Sequence, residues 1–518
     1  MIWRGLPHLA LALQVAGAAL AQGPGDDFLR VTRAEDLPPA LSALVDGLDA
    51  SRLAAHIRFL ADPKRDGRGL GTKGLTTTVH YLGDQLKALG IPPLGTSYYQ
   101  PVPLRKVLPG SSSLQVRTPT GEFTFQARQN AVFPSIAPGT LSGPVIHVGY
   151  GIQEPSLGHD DFRGLDLRGK VVVLHPGLPP GAAWQKPELI EKYAPTRPGD
   201  RYDSRLALLE KLGARAVIGL EEHLDRRIAD GKESIHPTFL AARGVPAAAE
   251  PPLIRVAASA AFLAAIHGGE ATGTLTIQGS TQTLRESNVL GRLEGSDPAL
   301  RQEAILIGAH MDHLGRPQGV LHPGADDNAS GVAALLEIAR TLARAPRRPR
   351  RTILIAFWTG EEEGKFGSGH YTRHPLWPLS ATRAYLNLDM IGHPWTPAEL
   401  KSLTTQAVLQ DPKAFLDGLD PSHFAEPGLS SGHRDLGPIL RQAGLGTGMS
   451  LHLDWTDGRN GGSDYRDFAR LNVPFVRFFG DYFPEYHTPG DTPDRLDPDQ
   501  VKRMARLILA TAWLLADR

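Results

Sequence analysis

The sequence predicts an α/β protein: a three-layer α/β/α domain around a mostly parallel mixed sheet, with a second, strand-rich unit inserted into it. Three observations carry this reading. From about residue 285 onward, short apolar strands alternate with amphipathic helices, as in a parallel-sheet layer fold. Between about 125 and 280 the texture changes to short β-branched runs bounded by Gly and Pro. The chain has 518 residues, too many for one ordinary domain.

The elements follow in order. MIWRGLPHLALALQVAGAALAQ holds one arginine, an apolar stretch and Ala19-Leu20-Ala21. That is the layout of a secretory signal, so residues 1–21 are expected to be removed on export to the periplasm or beyond. The stretch is too short and alanine-rich to span a membrane, and no later one is long enough. Residues 22–125 form the first part of the main domain, where LAAHIRFLAD and TTVHYLGDQLKALG have helical spacing. RDGRGLGTKG between them reads as a loop. Residues 126–282 form the insert, with GPVIHVGYGI and GKVVVLHPG as strands. The SRLALLEKLGARAVIGL stretch is a helix feeding another strand.

Residues 283–518 complete the main domain. NVLGRLEG, EAILIGAH, RTILIAFW, AYLNLDMIG and VPFVRFFG are strands. GVAALLEIARTLARA is a helix with Ser330 as its expected N-cap, and DQVKRMARLILATAWLLAD is a C-terminal helix with a broad apolar stripe.

Composition narrows the chemistry. Lys+Arg and Asp+Glu are 55 each, so net charge recommends neither nucleic acid nor an acidic membrane as partner. The one basic cluster, Arg344 to Arg351, contains two prolines and reads as a solvated loop. There is no cysteine, so any metal must be held by His, Asp and Glu.

Ligands collect at the carboxyl ends of strands in such sheets. The predicted strand ends are followed by HMDH and TGEEEG, one strand contains Asp389, and YHTPGD lies beyond the last. GADDNASG precedes a helix. Asp389 in an apolar strand needs a cation, a proton or a donor, because a lone buried carboxylate costs several kcal/mol. Clusters of His and acid recurring at one sheet edge point to bound metal.

The order His, Asp, Glu-Glu, Asp, His, in the contexts GAHMDHLG, GADDNASG, GEEEG, NLDMIG and YHTPGD, resembles the M28 family of zinc peptidases. The resemblance covers nearly the whole mature chain, and HVGYGIQEPSLGHDDFRGLDLRGKVVVL looks like the protease-associated (PA) domain often inserted in these enzymes. It implies a metallopeptidase fold with two Zn²⁺ per chain, cobalt or manganese being alternatives for such donors. His310, Asp327, Glu362, Asp389 and His487 match the metal ligands. Asp327 is then shared by both ions, His310 and Asp389 hold one, and Glu362 and His487 the other. Glu361 matches the general base, which takes a proton from a water shared by the ions. Asp312 matches the acid that orients the first histidine, and Tyr486 the tyrosine that supports the oxyanion.

His313 is expected near the ligand cluster or at its rim. Glu363 is expected to face solvent or bond local backbone. Ser463-Asp464 occurs where relatives carry such a pair, but Tyr465 stands where the family has histidine, so loop ordering is the expectation there. Asn328-Ala-Ser330 fits the glycosylation pattern only by accident of the metal loop, and Gly428-Leu-Ser430-Ser-Gly432 lacks the preceding strand of a nucleophile elbow. The implied activity is removal of amino-terminal residues from peptides or proteins. A carboxypeptidase with Arg459 or Arg434 as anchor, a single-zinc glutaminyl cyclase, and a non-catalytic binding protein are the alternatives.

Overall fold

The computed structural model describes residues 27–518 apart from 128, 134–138, 176, 194–202, 230–237, 242–252, 258, 268–269, 408 and 481. The signal-like segment 1–21 lies outside the described residues.

Among the described residues the main sheet has nine strands: β1 (Tyr99–Pro109), β2 (Thr238–Ala241), β3 (Gly279–Leu293), β4 (Ala304–His310), β5 (Thr352–Trp358), β6 (Thr382–Asp389), β7 (Gly428–Ser430), β8 (Asp454–Thr456) and β9 (Phe475–Phe479), in the order β2-β1-β3-β5-β4-β6-β9-β7-β8. The centre, β5-β4-β6-β9, is parallel. The flank β2-β1-β3 pairs antiparallel with itself and with β5. Beyond the centre, β7 pairs antiparallel with β9 and parallel with β8.

AILIGAH and TILIAFW are buried along their whole length because helices cover both faces. On one face Ile305, Ile307, Ile353 and Ile355 pack with α1 (Ala50–Leu60), α2 (Lys73–Ala88), α3 (Gly331–Ala343), α5 (Leu436–Thr447) and α7 (Pro498–Ala516). On the other, Leu306, Leu354 and Trp358 pack with Tyr371 of α4 (Phe366–Arg373) and Phe468 of α6 (Tyr465–Arg470). Alternate residues of one strand thus serve opposite layers. Each fully buried Leu or Ile contributes about 1.5–3 kcal/mol relative to exposure. Among the described residues no helix is long and apolar enough to cross a membrane, α7 included.

Ser330 precedes α3 but is not its cap. Its backbone is already helical and its hydroxyl donates to the Asp326 carbonyl, because the preceding turn belongs to the Asp327 loop.

A second sheet, of eight strands among the described residues, draws them from residues 113–277 and has its own apolar cluster, including Leu114, Val173, Ile218 and Phe262. The hairpin Ser113–Thr118 and Gly121–Gln126, nearly all of it before residue 126, belongs to this sheet. Two features tie it to the main sheet. β1 and β3 pair in register from Gly279↔Pro109 to Val289↔Tyr99, forming one ribbon that leads out and back. β2, from within the inserted stretch, pairs with Leu104–Val107 of β1.

Candidate active site

The parallel strands β4, β5 and β6 end side by side, and the polar residues begin where their apolar runs stop. His310 is the last residue of β4 and Asp389 the last of β6, while Glu361 and Glu362 follow β5. Asp327 lies in the turn before α3, and His487 in the loop after β9. Met390 and His487 both have left-handed backbone, φ +50° and +55°. Such conformations cost about 1–3 kcal/mol for non-glycine residues and cluster at functional sites.

The ligand atoms of His310, Asp327 and Asp389 lie within 4.8 Å of one another, all three residues buried. His310 Nε2 is 3.2 Å from Asp389 Oδ1 and 3.4 Å from Asp327 Oδ1. On the other side, His487 Nε2 is 3.0 Å from Asp327 Oδ2 and 3.1 Å from Glu362 Oε2. The two oxygens of Asp327 therefore face two different histidine–carboxylate groups. All five residues expected to bind metal are brought together.

His313 joins the second group rather than the rim. Its side chain is fully buried, with Nδ1 2.7 Å from Glu362 Oε1 and 3.7 Å from Asp327 Oδ2. Burial holds the imidazole down at about 4 against the pull of Glu362, so it is neutral near pH 7. Its Nε2 has no partner among the described residues, which fits an Nδ1–H that donates to Glu362. Burial opposes ionisation of Glu362, and His313 and His487 more than offset it, so this carboxylate stays charged. Burial and the charge of Glu362 push Asp327 well up, against His487 and His310. Buried acids with so few neutralising groups are a donor set suited to divalent cations, and His with carboxylate suits zinc.

Asp312 acts differently from expectation. The Nδ1 of His310 meets the backbone carbonyl of Asp312 at 3.2 Å, not its carboxylate. The carboxylate instead accepts the amides of Glu361 at 3.1 Å and Glu362 at 3.4 Å. It thus fixes the start of the TGEEEG turn, because the carboxylate faces β5 while its own carbonyl faces the ring.

The three glutamates separate. Glu361 is buried, its Oε1 2.9 Å from Lys365 Nζ, and burial pushes its carboxyl up against the pull of His310 and Lys365. Glu362 lies between His313 and His487, and Glu363 is exposed. Tyr486 stacks on His487 with centroids 3.8 Å apart. Burial, with the charges of Asp327 and Glu362, keeps its phenol protonated.

Residues without motif status build the walls. Arg68, from RDGRGLGTKG, is 0% exposed and donates to five carbonyls: Leu60, Met311, Pro323, Gly324 and Asp327. It joins the Asp327 loop to the end of β4. Asp491 accepts the amides of Asp326 and Asp327, and Asp326 accepts from His393 at 2.6 Å and from the Gly392 amide. Only the Gly-rich loop and the YHTPGD context hinted at the first two. Asn328 is 0% exposed and bonded to the Leu388 carbonyl, which leaves no room for a glycan. Ser463 Oγ accepts from Asn387, so the Ser-Asp-Tyr loop is anchored to β6.

A cavity of about 180 Å³ opens onto the group. Besides the metal-type residues and Glu361 it is lined by Asn387, Met390, Tyr465, Arg477, Phe479, Tyr482 and Tyr486 among others. Arg459 and Arg434 are elsewhere, one on Asn472 and one over Trp455.

Residues 288–512 match the model of peptidase family M28. This domain belongs to peptidase family M28. The enzyme is a metallopeptidase. It is similar to the probable lipoprotein aminopeptidase LpqL of Mycobacterium tuberculosis, 25% identical over 479 residues, covering 88% of this chain and 82% of that one. It is also similar to a probable zinc metalloprotease of Pyrenophora teres f. teres, 26% identical over 406 residues, 70% of this chain and 78% of the other. The fold is that of the aminopeptidase from Aneurinibacillus sp. strain AM-1, with a TM-score of 0.56 at 21% identity, covering 92% of this chain and 95% of that one.

Proposed function

We propose that the metallopeptidase is an exported aminopeptidase that uses two zinc ions and takes peptides or proteins as substrates. The observation that carries the reading is Asp327, whose oxygens face His310 with Asp389 on one side and His487 with Glu362 on the other. One ion would be held by His310, Asp389 and Asp327, the other by Asp327, Glu362 and His487. When bound, such ions supply Lewis acidity toward the peptide carbonyl and toward water.

The chain's own residues do the rest. Glu361 is buried beside the metal group yet belongs to neither set, so it accepts the nucleophile's proton and returns it to the leaving amine. Its carboxylate, like that of Asp389, also offers an acceptor for a substrate's free α-ammonium. Tyr486, kept protonated, is a donor for charge developing on the carbonyl oxygen. Relatives named aminopeptidase and zinc metalloprotease support the same reading. The signal-like amino terminus supports export. The unit built from residues 113–277 is of the protease-associated type in this reading and flanks the sheet that holds the site.

The test is a panel of peptides with free or blocked amino termini, given to protein whose metal content has been measured. Two zinc ions per chain and stepwise release from free amino termini are expected. One ion per chain, or cutting only of blocked peptides from the carboxyl end, overturns the reading.

A further inference from the structure

Among the described residues Arg477 is the one cationic side chain, histidines aside, lining the cavity over the candidate metal site. Its place follows from register. β9 pairs with β6 so that Asn387 lies beside Arg477 and Asp389 beside Phe479. Paired residues of parallel strands, and residues two apart on one strand, share a face. Arg477 and Asn387 therefore stand two residues before Phe479 and Asp389 along the paired strands, on the same face.

The guanidinium is held there by built features. Its Nη2 is 2.7 Å from Asp454 Oδ2. A Cβ on Gly428 would sit 2.2 Å from its Nε, so the absence of a side chain at Gly428 makes room for it. That Nε is buried without a hydrogen-bond partner among the described residues. Guanidinium carries five N–H donors in a planar fork, and one carboxylate does not use them all. The walls above it are aromatic: Tyr465, Phe479, Tyr482 and Tyr486.

We infer that Arg477 reads a carboxylate on the side chain of the residue being removed, so that the enzyme favours amino-terminal glutamate or aspartate. This rests on the aminopeptidase reading and adds the substrate class to it. The apolar stem of such a side chain runs along the aromatic walls, and its carboxylate joins Asp454 in sharing the guanidinium.

The experiment compares Glu, Asp, Gln and Leu aminoacyl anilides on metal-loaded enzyme, the R477M variant and the D454N variant, with folding checked by thermal melt. Wild type should favour Glu over Gln and Leu in kcat/KM. R477M should lose about tenfold to a hundredfold on Glu while Leu changes little, as for loss of a hydrogen bond to a charged group. D454N, which frees the guanidinium, should raise the Glu to Leu ratio. Folded, metal-loaded protein with the same ratio in all three forms overturns the assignment to Arg477. Failure to release any amino-terminal residue from any substrate overturns the aminopeptidase reading instead.

Discussion

His313 Nδ1 lies 2.7 Å from Glu362 Oε1, and neither side chain has more than 4% exposure. A neutral imidazole donating to a carboxylate holds that oxygen at one angle and leaves the other for a cation. Groups that orient a metal ligand are typically worth about 10–100-fold in metal affinity. His313→Ala should weaken binding of one ion by that factor, measured by zinc titration against a chelator, and leave the other ion bound. His313→Gln, which retains a donor, should recover part of the loss. Two ions with unchanged affinity in His313→Ala would remove this role.

Arg68 is fully buried and satisfies five carbonyls from three chain segments. Arg68→Ala leaves those acceptors without donors and should cost about 3–5 kcal/mol in denaturant unfolding. Arg68→Lys should not restore it, since a point charge cannot replace the fork. A loss under about 1 kcal/mol would mean that water takes its place.

Metal binding should strengthen with pH. Burial disfavours protonation of His487, but hydrogen bonds to Asp327 and Glu362 override it and lift the imidazole to about 10. Burial pushes Asp312 up to about 7, with His310 opposing and Glu362 and Glu361 adding. In the metal-free protein the His487 contribution to stability is fully present below its unfolded value and fades as pH rises toward 10. The Asp312 contribution, a proton held more tightly in the fold, fades as pH rises toward 7. Metal-free protein should therefore lose stability between pH 6 and 9. A cation displaces protons, so the gain in Tm on adding zinc should be larger at pH 8 than at pH 6. At a hundredfold excess over Kd that gain corresponds to about 2.7 kcal/mol. Equal gains at both pH values would show that these groups release no protons.

Much of the fold was legible because its strands are uninterrupted apolar runs followed by acids and histidines. Burial on both faces demands the first, and the sheet's carboxyl edge collects the second. His310 and Asp389 end their strands as read from AILIGAH and AYLNLDMIG. What escaped reading depends on contacts distant in sequence. Arg68 and Gly324 are far apart in the chain, and nothing in a Gly-rich loop says that its arginine points inward. Asp312 kept its place but changed its partner, because spacing does not say which oxygen of a residue faces a ring. Arg477 sits in an apolar strand where its face is fixed only by register with β6.

Glu363 is exposed while its two neighbours turn inward. Glu363→Ala should change kcat/KM by less than about threefold, in line with a surface substitution. A large loss of activity or of metal in this variant would mean that the roles are shifted by one residue.

In the proposed mechanism Glu361 moves the proton and does not hold metal. Measuring turnover and bound metal together in Glu361→Gln tests it most directly. Two ions per chain, an unchanged fold and a kcat lower by about 10²–10⁴-fold are expected. Near-full turnover, or loss of an ion with the glutamine, would contradict it.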